Sequence, residues 1–176
     1  ATARELLGRL TMAYERLPMF LQQGVAEWNK GSIALENGSR ILAASTSSSS
    51  IRGYAFNLIL LDEFAFIPQG LAEDFFYSVY PTISSGMTSK VIVVSTPNGM
   101  NHFYKMWGDA VEGRSNYEPY EINWWDVPGR DGNWKKQTIE NTSQEQFRQE
   151  FECEFLGSAG TLITPGKLAE LSIREP

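Results

Sequence analysis

An apolar run that stops abruptly at two adjacent carboxylates constrains the fold of this 176-residue chain more than any other feature. Residues 58–61 read Leu-Ile-Leu-Leu, and Asp62 and Glu63 follow them directly. A short apolar run of this kind predicts a strand that is buried on both faces of a parallel sheet. Its polar end would then lie at the carboxyl edge of the sheet, where open α/β folds bind their ligands.

Two carboxylates at that edge suit the hydrolysis of a nucleotide. One carboxylate can hold Mg²⁺ through the water shell of the ion, and the other can orient or deprotonate the attacking water. A buried strand with an ordinary acidic end explains the same six residues equally well. The run by itself therefore supports both interpretations.

A second strand-like run repeats this arrangement. Residues 90–94 read Lys-Val-Ile-Val-Val, which is β-branched almost throughout, and they lead into Ser95 and Thr96. In a parallel sheet these hydroxyls would lie at the edge that carries Asp62 and Glu63. There they can bond a phosphate, a water or a carboxylate, and so report whether a γ-phosphate is present. Alternatively they only cap the loop or helix that follows, but two such strands in one sheet favour the functional interpretation.

The remaining pattern alternates helix and strand signals, so the chain is expected to be α/β. An Asn-Gly pair at residues 37–38, between two strand-like runs, is a strong hairpin signal. The predicted elements are helices over residues 1–17, 71–80 and 101–111 and from 142 onward, hairpin strands at 32–35 and 40–43, a strand at 120–124 and a polar loop at 126–134.

The amino-acid composition limits the kinds of function that the chain can have. The net charge of −6 argues against a broad nucleic-acid-binding surface, although a local basic strip or a neighbouring chain could supply one. Cys153 is the only cysteine, which excludes a disulfide framework and a thiolate metal cluster. His102 is the only histidine, which excludes a histidine-rich metal site. No apolar run in the sequence approaches the length of a membrane span.

Three further side chains each have two interpretations. Arg52 could contact a phosphate or the nucleotide of a neighbouring subunit, or it could stabilise the turn beside Gly53. Trp124 and Trp125 could offer a stacking platform for nucleic acid. On an acidic chain, next to a predicted strand, packing in a core or at a domain interface is the favoured role of these tryptophans.

An ordered set of motifs resembles the ATPase domain of the large terminase subunit of tailed bacteriophages. The resemblance spans roughly residues 3–168, nearly the whole chain. The Asp-Glu pair alone is weakly specific, whereas the ordered set is highly specific. The set comprises Arg-Gly at 52–53, Leu-Leu-Asp-Glu-Phe-Ala-Phe-Ile-Pro at 60–68, Ser-Thr-Pro-Asn-Gly at 95–99, His-Phe-Tyr at 102–104, Glu-Pro-Tyr at 118–120, Gln-Phe-Arg-Gln-Glu at 146–150 and Gly-Thr-Leu-Ile at 160–163.

The resemblance implies a P-loop NTPase-like fold of the ASCE type, with a mostly parallel sheet flanked by helices, and ATP and Mg²⁺ as cofactors. On the matching positions, Asp62 would be the Walker B carboxylate that associates with Mg²⁺, and Glu63 would be the catalytic base. Ser95 and Thr96 would belong to the motif that couples hydrolysis to movement, and Arg52 would lie near the nucleotide.

The resemblance also implies a motor that translocates double-stranded viral DNA into a procapsid. Its partners would be the portal protein, the small terminase subunit and further copies of itself in a ring. It would work in the host bacterial cytoplasm, docked transiently on the procapsid, without contact with a membrane. A helicase-like DNA-stimulated ATPase and a non-catalytic interaction module are the alternatives.

One departure from the family pattern qualifies these expectations. No G-x-x-x-x-G-K-[ST] phosphate loop occurs in the chain, and the resemblance places that loop before Ala1 and a nuclease domain after residue 176. Residues 1–156 would then be the C-terminal portion of the ATPase domain and 157–176 a linker toward the nuclease domain. Because the strand that feeds the phosphate loop is expected between the two strands described above, the sheet is predicted to be incomplete. Its absence should leave a gap, or force a rearrangement or self-association across exposed edges. The 176-residue chain alone is predicted to have no appreciable ATPase activity.

Overall fold

The computed structural model describes residues 2–45, 54–84 and 88–157. These residues form an α/β arrangement that divides into two compact units, Ala1–Asp62 with Gly70–Ile92, and Glu63–Gln69 with Val93–Pro176. The helices of the described residues are α1 (Thr2–Glu15), α2 (Gln69–Ser84), α3 (His102–Val111), α4 (Gly132–Asn141) and α5 (Gln144–Phe151), and the strands are β1 (Val25–Trp28), β2 (Ser32–Leu35), β3 (Arg40–Leu42), β4 (Leu58–Leu61) and β5 (Lys90–Val93).

The first unit contains a three-stranded antiparallel sheet in the order β1-β2-β3. Ile33 of β2 pairs with Ile41 of β3, which confirms the predicted hairpin. The turn depends on Gly38, whose φ of 85° lies in the region that a residue without a Cβ adopts freely. Asn37 supports the turn, because its side-chain oxygen accepts a hydrogen bond of 2.9 Å from the backbone N–H of Ser39.

The first unit also contains a small parallel sheet in which β4 is hydrogen-bonded directly to β5. The strands come into register at their beginnings, where the Lys90 N–H donates to the Asn57 carbonyl at 2.9 Å. Parallel neighbours need a crossover connection, and the 16-residue helix α2 provides it. Of the outcomes predicted for an absent phosphate-loop strand, a gap between these two strands is therefore wrong, since they pair directly.

Burial of the two parallel strands also differs from the prediction. Leu58 and Leu60 of β4 are 56% and 51% exposed and Ile92 of β5 is 46% exposed, whereas Leu61 is 8% exposed. Alternate side chains of a strand point to opposite faces, so one face of β4 turns inward and the other lies open. The prediction that this strand is buried on both faces is wrong for the described residues.

Helices α1 and α2 supply most of the buried side chains of the first unit. Tyr14 of α1 packs edge-on against Trp28 of β1, with ring centroids 5.5 Å apart, and so joins this helix to the antiparallel sheet. The buried apolar residues of this unit are Leu7, Ile33, Leu61, Ala72, Phe75 and Val79. No helix in the described part of the chain combines the length and the apolar character that crossing a membrane would require.

The second unit has an aromatic core formed by α4, α5 and the segment before them. Phe147 is completely buried and contacts Trp124 and Trp134, with ring centroids 6.2 and 5.9 Å away. Trp124 therefore packs in a core, as favoured above, whereas Trp125 is 56% exposed. The strand predicted at 120–124 is wrong, because only a 3₁₀ turn at Trp124–Asp126 forms there.

Helix α4 occupies part of the segment that was predicted to be a polar loop. It begins at Gly132, where the Asp131 carboxylate accepts a hydrogen bond of 2.8 Å from the Trp134 N–H. The start of α5 was predicted correctly, since the Ser143 hydroxyl accepts a hydrogen bond of 3.0 Å from the Gln146 N–H. Both caps satisfy backbone donors that the first turn of a helix leaves unpaired.

Candidate functional site

Glu63 has an unusual backbone conformation. Its φ of 52° and ψ of 39° place it in the left-handed region, which costs a residue with a Cβ about 1–2 kcal/mol. Such conformations persist only where neighbouring contacts impose them, and they gather at functional sites. The side chain is exposed, and the residue opens a 3₁₀ turn over Phe64–Phe66.

The segment that follows β5 holds this turn in place. The N–H of Phe64 donates to the Val94 carbonyl at 3.3 Å, and the N–H of Ala65 donates to the Ser95 hydroxyl oxygen at 3.0 Å. The same hydroxyl donates to the carbonyl of Thr96 at 2.8 Å. Ser95 therefore bonds, through its own side chain, to the turn that starts at the predicted catalytic Glu63.

Two asparagines complete the set of hydrogen bonds around Ala65. Its carbonyl accepts from the side-chain amide of Asn98 at 3.2 Å and from that of Asn101 at 2.6 Å. Ala65 is 2% exposed, so its peptide groups depend on protein partners rather than on bulk water. We define the Ala65 clamp as the side chains of Ser95, Asn98 and Asn101 together with the Ala65 peptide groups that they bind.

The two asparagines of the clamp were not predicted as site residues. Asn101 precedes α3 and caps it, since its side-chain oxygen accepts hydrogen bonds from the N–H groups of Phe103 and Tyr104 at 3.0 and 3.2 Å. An asparagine directly before a helical pattern is a sequence signal for such a cap. Nothing in the sequence signals its second bond, to a carbonyl 36 positions earlier.

Contacts between buried side chains also support the Ala65 clamp. Phe64 is 1% exposed and contacts His102 edge-on, with ring centroids 6.0 Å apart. His102 is partly buried and packs at the start of α3. Pro97, between Ser95 and the asparagines, is buried too. The turn after Glu63 therefore rests on the N-terminal end of α3.

Asp62, Thr96 and Arg52 are the other predicted site residues. Asp62 follows β4, is half-buried and belongs to the first unit. Thr96 is half-buried and contributes its carbonyl to the bond from Ser95. Arg52 lies outside the described residues. The structure thus brings the Ser95 side chain to the turn that begins at Glu63.

Magnesium is the metal ion that the sequence resemblance implies. Within residues 2–45, 54–84 and 88–157, no group of three or more His, Cys, Asp or Glu side chains could hold a metal ion. Mg²⁺ characteristically keeps several waters and binds through one or two carboxylates and substrate phosphates rather than in an all-protein cage. The Asp62 carboxylate is an oxygen donor of the type that such an ion prefers.

A second charged site lies in the aromatic core of the second unit. The Lys135 ammonium is 2.5 Å from the Glu152 carboxylate, which also accepts a hydrogen bond of 3.3 Å from the indole N–H of Trp124. The hydrogen bond from Lys135, reinforced by that from Trp124, lowers the pKa of Glu152. Lys135 therefore pairs with a carboxylate beside the aromatic core, and its side chain remains 32% exposed.

Comparisons with known proteins give one consistent result. Residues 3–169 match the family described as "Terminase large subunit, T4likevirus-type, N-terminal". The chain is 30% identical over 125 residues to the terminase large subunit of Escherichia phage T5, covering 70% of this chain and 28% of that protein. It is 26% identical over 129 residues to those of Thermus phage G20c and Thermus virus P23-45, covering 65% of this chain and 26% of each relative. The chain thus spans about a quarter of the length of these relatives.

Proposed function

This chain belongs to the terminase large-subunit family, and from that premise we propose that it forms part of an ATP-hydrolysing motor that drives double-stranded viral DNA into a procapsid. The observation that carries the proposal is the hydrogen bond between the Ser95 hydroxyl and the Ala65 N–H. It ties the polar end of one parallel strand to the turn that begins at Glu63, as a motor that couples hydrolysis to movement requires.

The two carboxylates have different roles in this proposal. Asp62 helps to hold Mg²⁺ through water, and the bound ion neutralises charge on the phosphates. Glu63 orients the attacking water and accepts its proton. Its exposed side chain suits this role, because a general base must reach a water that enters from solvent.

The hydroxyl residues link the nucleotide to the protein in this proposal. Ser95 uses its hydroxyl as an acceptor toward Ala65 and as a donor toward Thr96. A change in the position of Thr96 when the γ-phosphate leaves would therefore reach the turn after Glu63 through one side chain. Arg52 is proposed to contact the nucleotide in the same state.

The wider architecture is part of the proposal. A P-loop NTPase-like sheet would include β4 and β5, and because these two strands pair directly, a phosphate-loop strand would add at an outer edge. The partners would be double-stranded DNA, the portal protein, the small terminase subunit and other copies in a ring, in the host cytoplasm and on the procapsid. With a net charge of −6, the chain would rely on a local strip or on its neighbours for contact with DNA.

The variant Glu63→Gln in the complete large subunit that carries this sequence tests the catalytic assignment. We expect ATP to bind with unchanged affinity and kcat for hydrolysis to fall by about 10²–10⁴-fold, because the amide cannot accept the proton of the water. Nucleotide binding and phosphate release measured in parallel would show this separation, and packaging of DNA should stop.

Glu15→Gln is the matched control, because Glu15 is an exposed carboxylate on α1. It should leave hydrolysis and packaging at the level of the unmodified protein. Undiminished hydrolysis by the Glu63→Gln variant would refute the proposed role.

A further inference from the structure

Asn101 uses its full hydrogen-bonding capacity in the Ala65 clamp. An asparagine amide has two N–H donors and one oxygen with two lone pairs. The oxygen accepts from two backbone N–H groups of α3, as described above. The nitrogen donates to the carbonyl of Ala65 at 2.6 Å and to that of Asn98 at 3.1 Å. The side chain is thereby held in a single orientation. A flipped amide would point its N–H groups at backbone N–H groups and its oxygen at backbone carbonyls.

This arrangement connects α3 rigidly to the turn after Glu63. Ala65 lies two residues beyond Glu63, and both of its peptide groups bind side chains of the Ala65 clamp. Glu63 needs such external support because its φ of 52° is unfavourable for a residue with a Cβ. A displacement of the first turn of α3 would move Asn101, and with it the carbonyl of Ala65.

We propose that Asn101, assisted by Asn98, is a positioning residue that sets the reactive geometry of Glu63 through the carbonyl of Ala65 and links that geometry to the position of α3. The proposal rests on the hydrolytic role proposed above for Glu63. Asn101 acts only through the turn, so its contribution should appear in the catalytic rate and not in the affinity for nucleotide.

The variant Asn101→Asp removes the N–H donors of the Ala65 clamp but can still cap α3. Aspartate caps a helix as well as asparagine does, so the bonds to Phe103 and Tyr104 remain possible. It has no N–H groups, and its carboxylate would face the carbonyl of Ala65 without a proton between them. In the complete large subunit we expect kcat to fall by about 10–100-fold, as for a small misplacement of a catalytic group, and KM for ATP to stay within about 3-fold.

Asn141→Asp is the matched control. The side-chain amide of Asn141 also donates to a backbone carbonyl, that of Gln137 at 2.8 Å, but it does so at the end of α4. The substitution removes the same kind of donor and adds the same charge, so kcat should remain unchanged. An equal loss of kcat in both variants would show that the added charge alone causes the effect and would overturn the proposal.

Asn98→Ala provides a second probe if Asn101→Asp fails to fold. It removes one of the two donors to the carbonyl of Ala65 and leaves the cap of α3 intact. We expect kcat to fall by about 3–10-fold with KM unchanged, because one donor remains. A wild-type kcat in Asn98→Ala, when Asn101→Asp is unfolded, would overturn the proposal.

A double variant distinguishes positioning from an independent structural effect. If Asn101 acts through Glu63, adding Asn101→Asp to Glu63→Gln should lower the residual single-turnover rate by less than about 2-fold, because the two losses are not additive. Multiplicative losses would overturn the proposal. If Asn101→Asp hydrolyses ATP at the wild-type rate and Glu63→Gln is inactive, only the role of Asn101 is refuted. If Glu63→Gln is active, the proposed function is refuted as well.

Discussion

Glu63 combines a chemical role that is proposed from its position with a backbone conformation that favours glycine. Its φ of 52° is held by neighbouring hydrogen bonds and is not an intrinsic preference of glutamate. A strained backbone at a functional residue costs stability that the function of its side chain offsets. A substitution of Glu63 that relieves the strain should therefore raise stability and abolish activity.

We predict that Glu63→Gly raises the free energy of unfolding by about 0.5–1 kcal/mol. Relief of the left-handed strain contributes about 1–2 kcal/mol, and the greater freedom of glycine in the unfolded chain offsets about 0.5–1 kcal/mol of it. The midpoint of urea unfolding of the complete subunit measures the change. Hydrolysis should be lost, because the carboxylate is removed.

Glu63→Ala is the control for this prediction, since it removes the same carboxylate but keeps a Cβ and thus the strain. It should be inactive and less stable than Glu63→Gly. An alanine variant that equals or exceeds the glycine variant in stability would show that the conformation of Glu63 is not strained.

At the scale of elements, the packing of α4 and α5 depends on a charged group inside an aromatic cluster. Glu152, at the end of α5, accepts hydrogen bonds from Lys135 of α4 and from Trp124, and its side chain is only 16% exposed. The pKa of Glu152 is lowered in the folded state. Its contribution to stability is therefore fully present above the ordinary glutamate pKa of about 4.3 and is lost as the pH falls through the lower folded-state value.

We predict that Glu152→Gln lowers the free energy of unfolding by about 1.5–3 kcal/mol at pH 7, the usual value of a hydrogen bond to a charged group. The difference from the unmodified protein should shrink below pH 4.3 or so, because protonation removes the same charge there. Urea unfolding as a function of pH measures both effects. A difference that stays constant from pH 7 to pH 3 or so would contradict the assignment.

Glu154→Gln is the matched control for the charged group. Glu154 pairs with Arg148, but the side chains are 39% and 45% exposed. Exposed pairs contribute little because water screens them, so this change should cost less than about 0.5 kcal/mol at pH 7.

The pattern of side chains predicted most elements of the fold but missed β1 and α4. The inward side of α4 contains Trp134, Lys135, Thr138 and Ile139, of which only two are apolar. A helix with so weak an apolar stripe is stabilised by its tertiary contacts and not by its own periodicity. The hairpin, by contrast, was predictable because Asn37 and Gly38 determine its turn locally.

At the scale of the whole molecule, the prediction concerns phosphate binding by this chain. The sequence contains no G-x-x-x-x-G-K-[ST] loop, whose backbone N–H groups and lysine cradle the phosphates. We therefore predict that the purified 176-residue chain releases no measurable phosphate from ATP. Phosphate release by the complete subunit under the same conditions is the control, and robust turnover by the chain alone, abolished in Glu63→Gln, would contradict the prediction.

The order of the parallel strands could not be predicted from the chain. Both strands were recognised from their apolar runs, but no gap separates them and β4 pairs directly with β5. The order of strands in a sheet depends on which strand edges pair when the chain folds. An apolar run does not indicate which strand will pair with it. Exposure differed from the prediction for the same reason, since Leu58 and Leu60 lie on the open face of β4.

The sequence by itself determined the family, the carboxylate pair at Asp62 and Glu63 and the hydroxyl pair at Ser95 and Thr96, because these depend on residue identity and local spacing. Only the tertiary structure decided that Ser95 binds the Ala65 peptide, together with the asparagines of the Ala65 clamp. These hydrogen bonds join residues 30, 33 and 36 positions apart in the chain. A side chain reaches a partner that distant only after α2 has returned the chain beside β4, and no local pattern records that geometry.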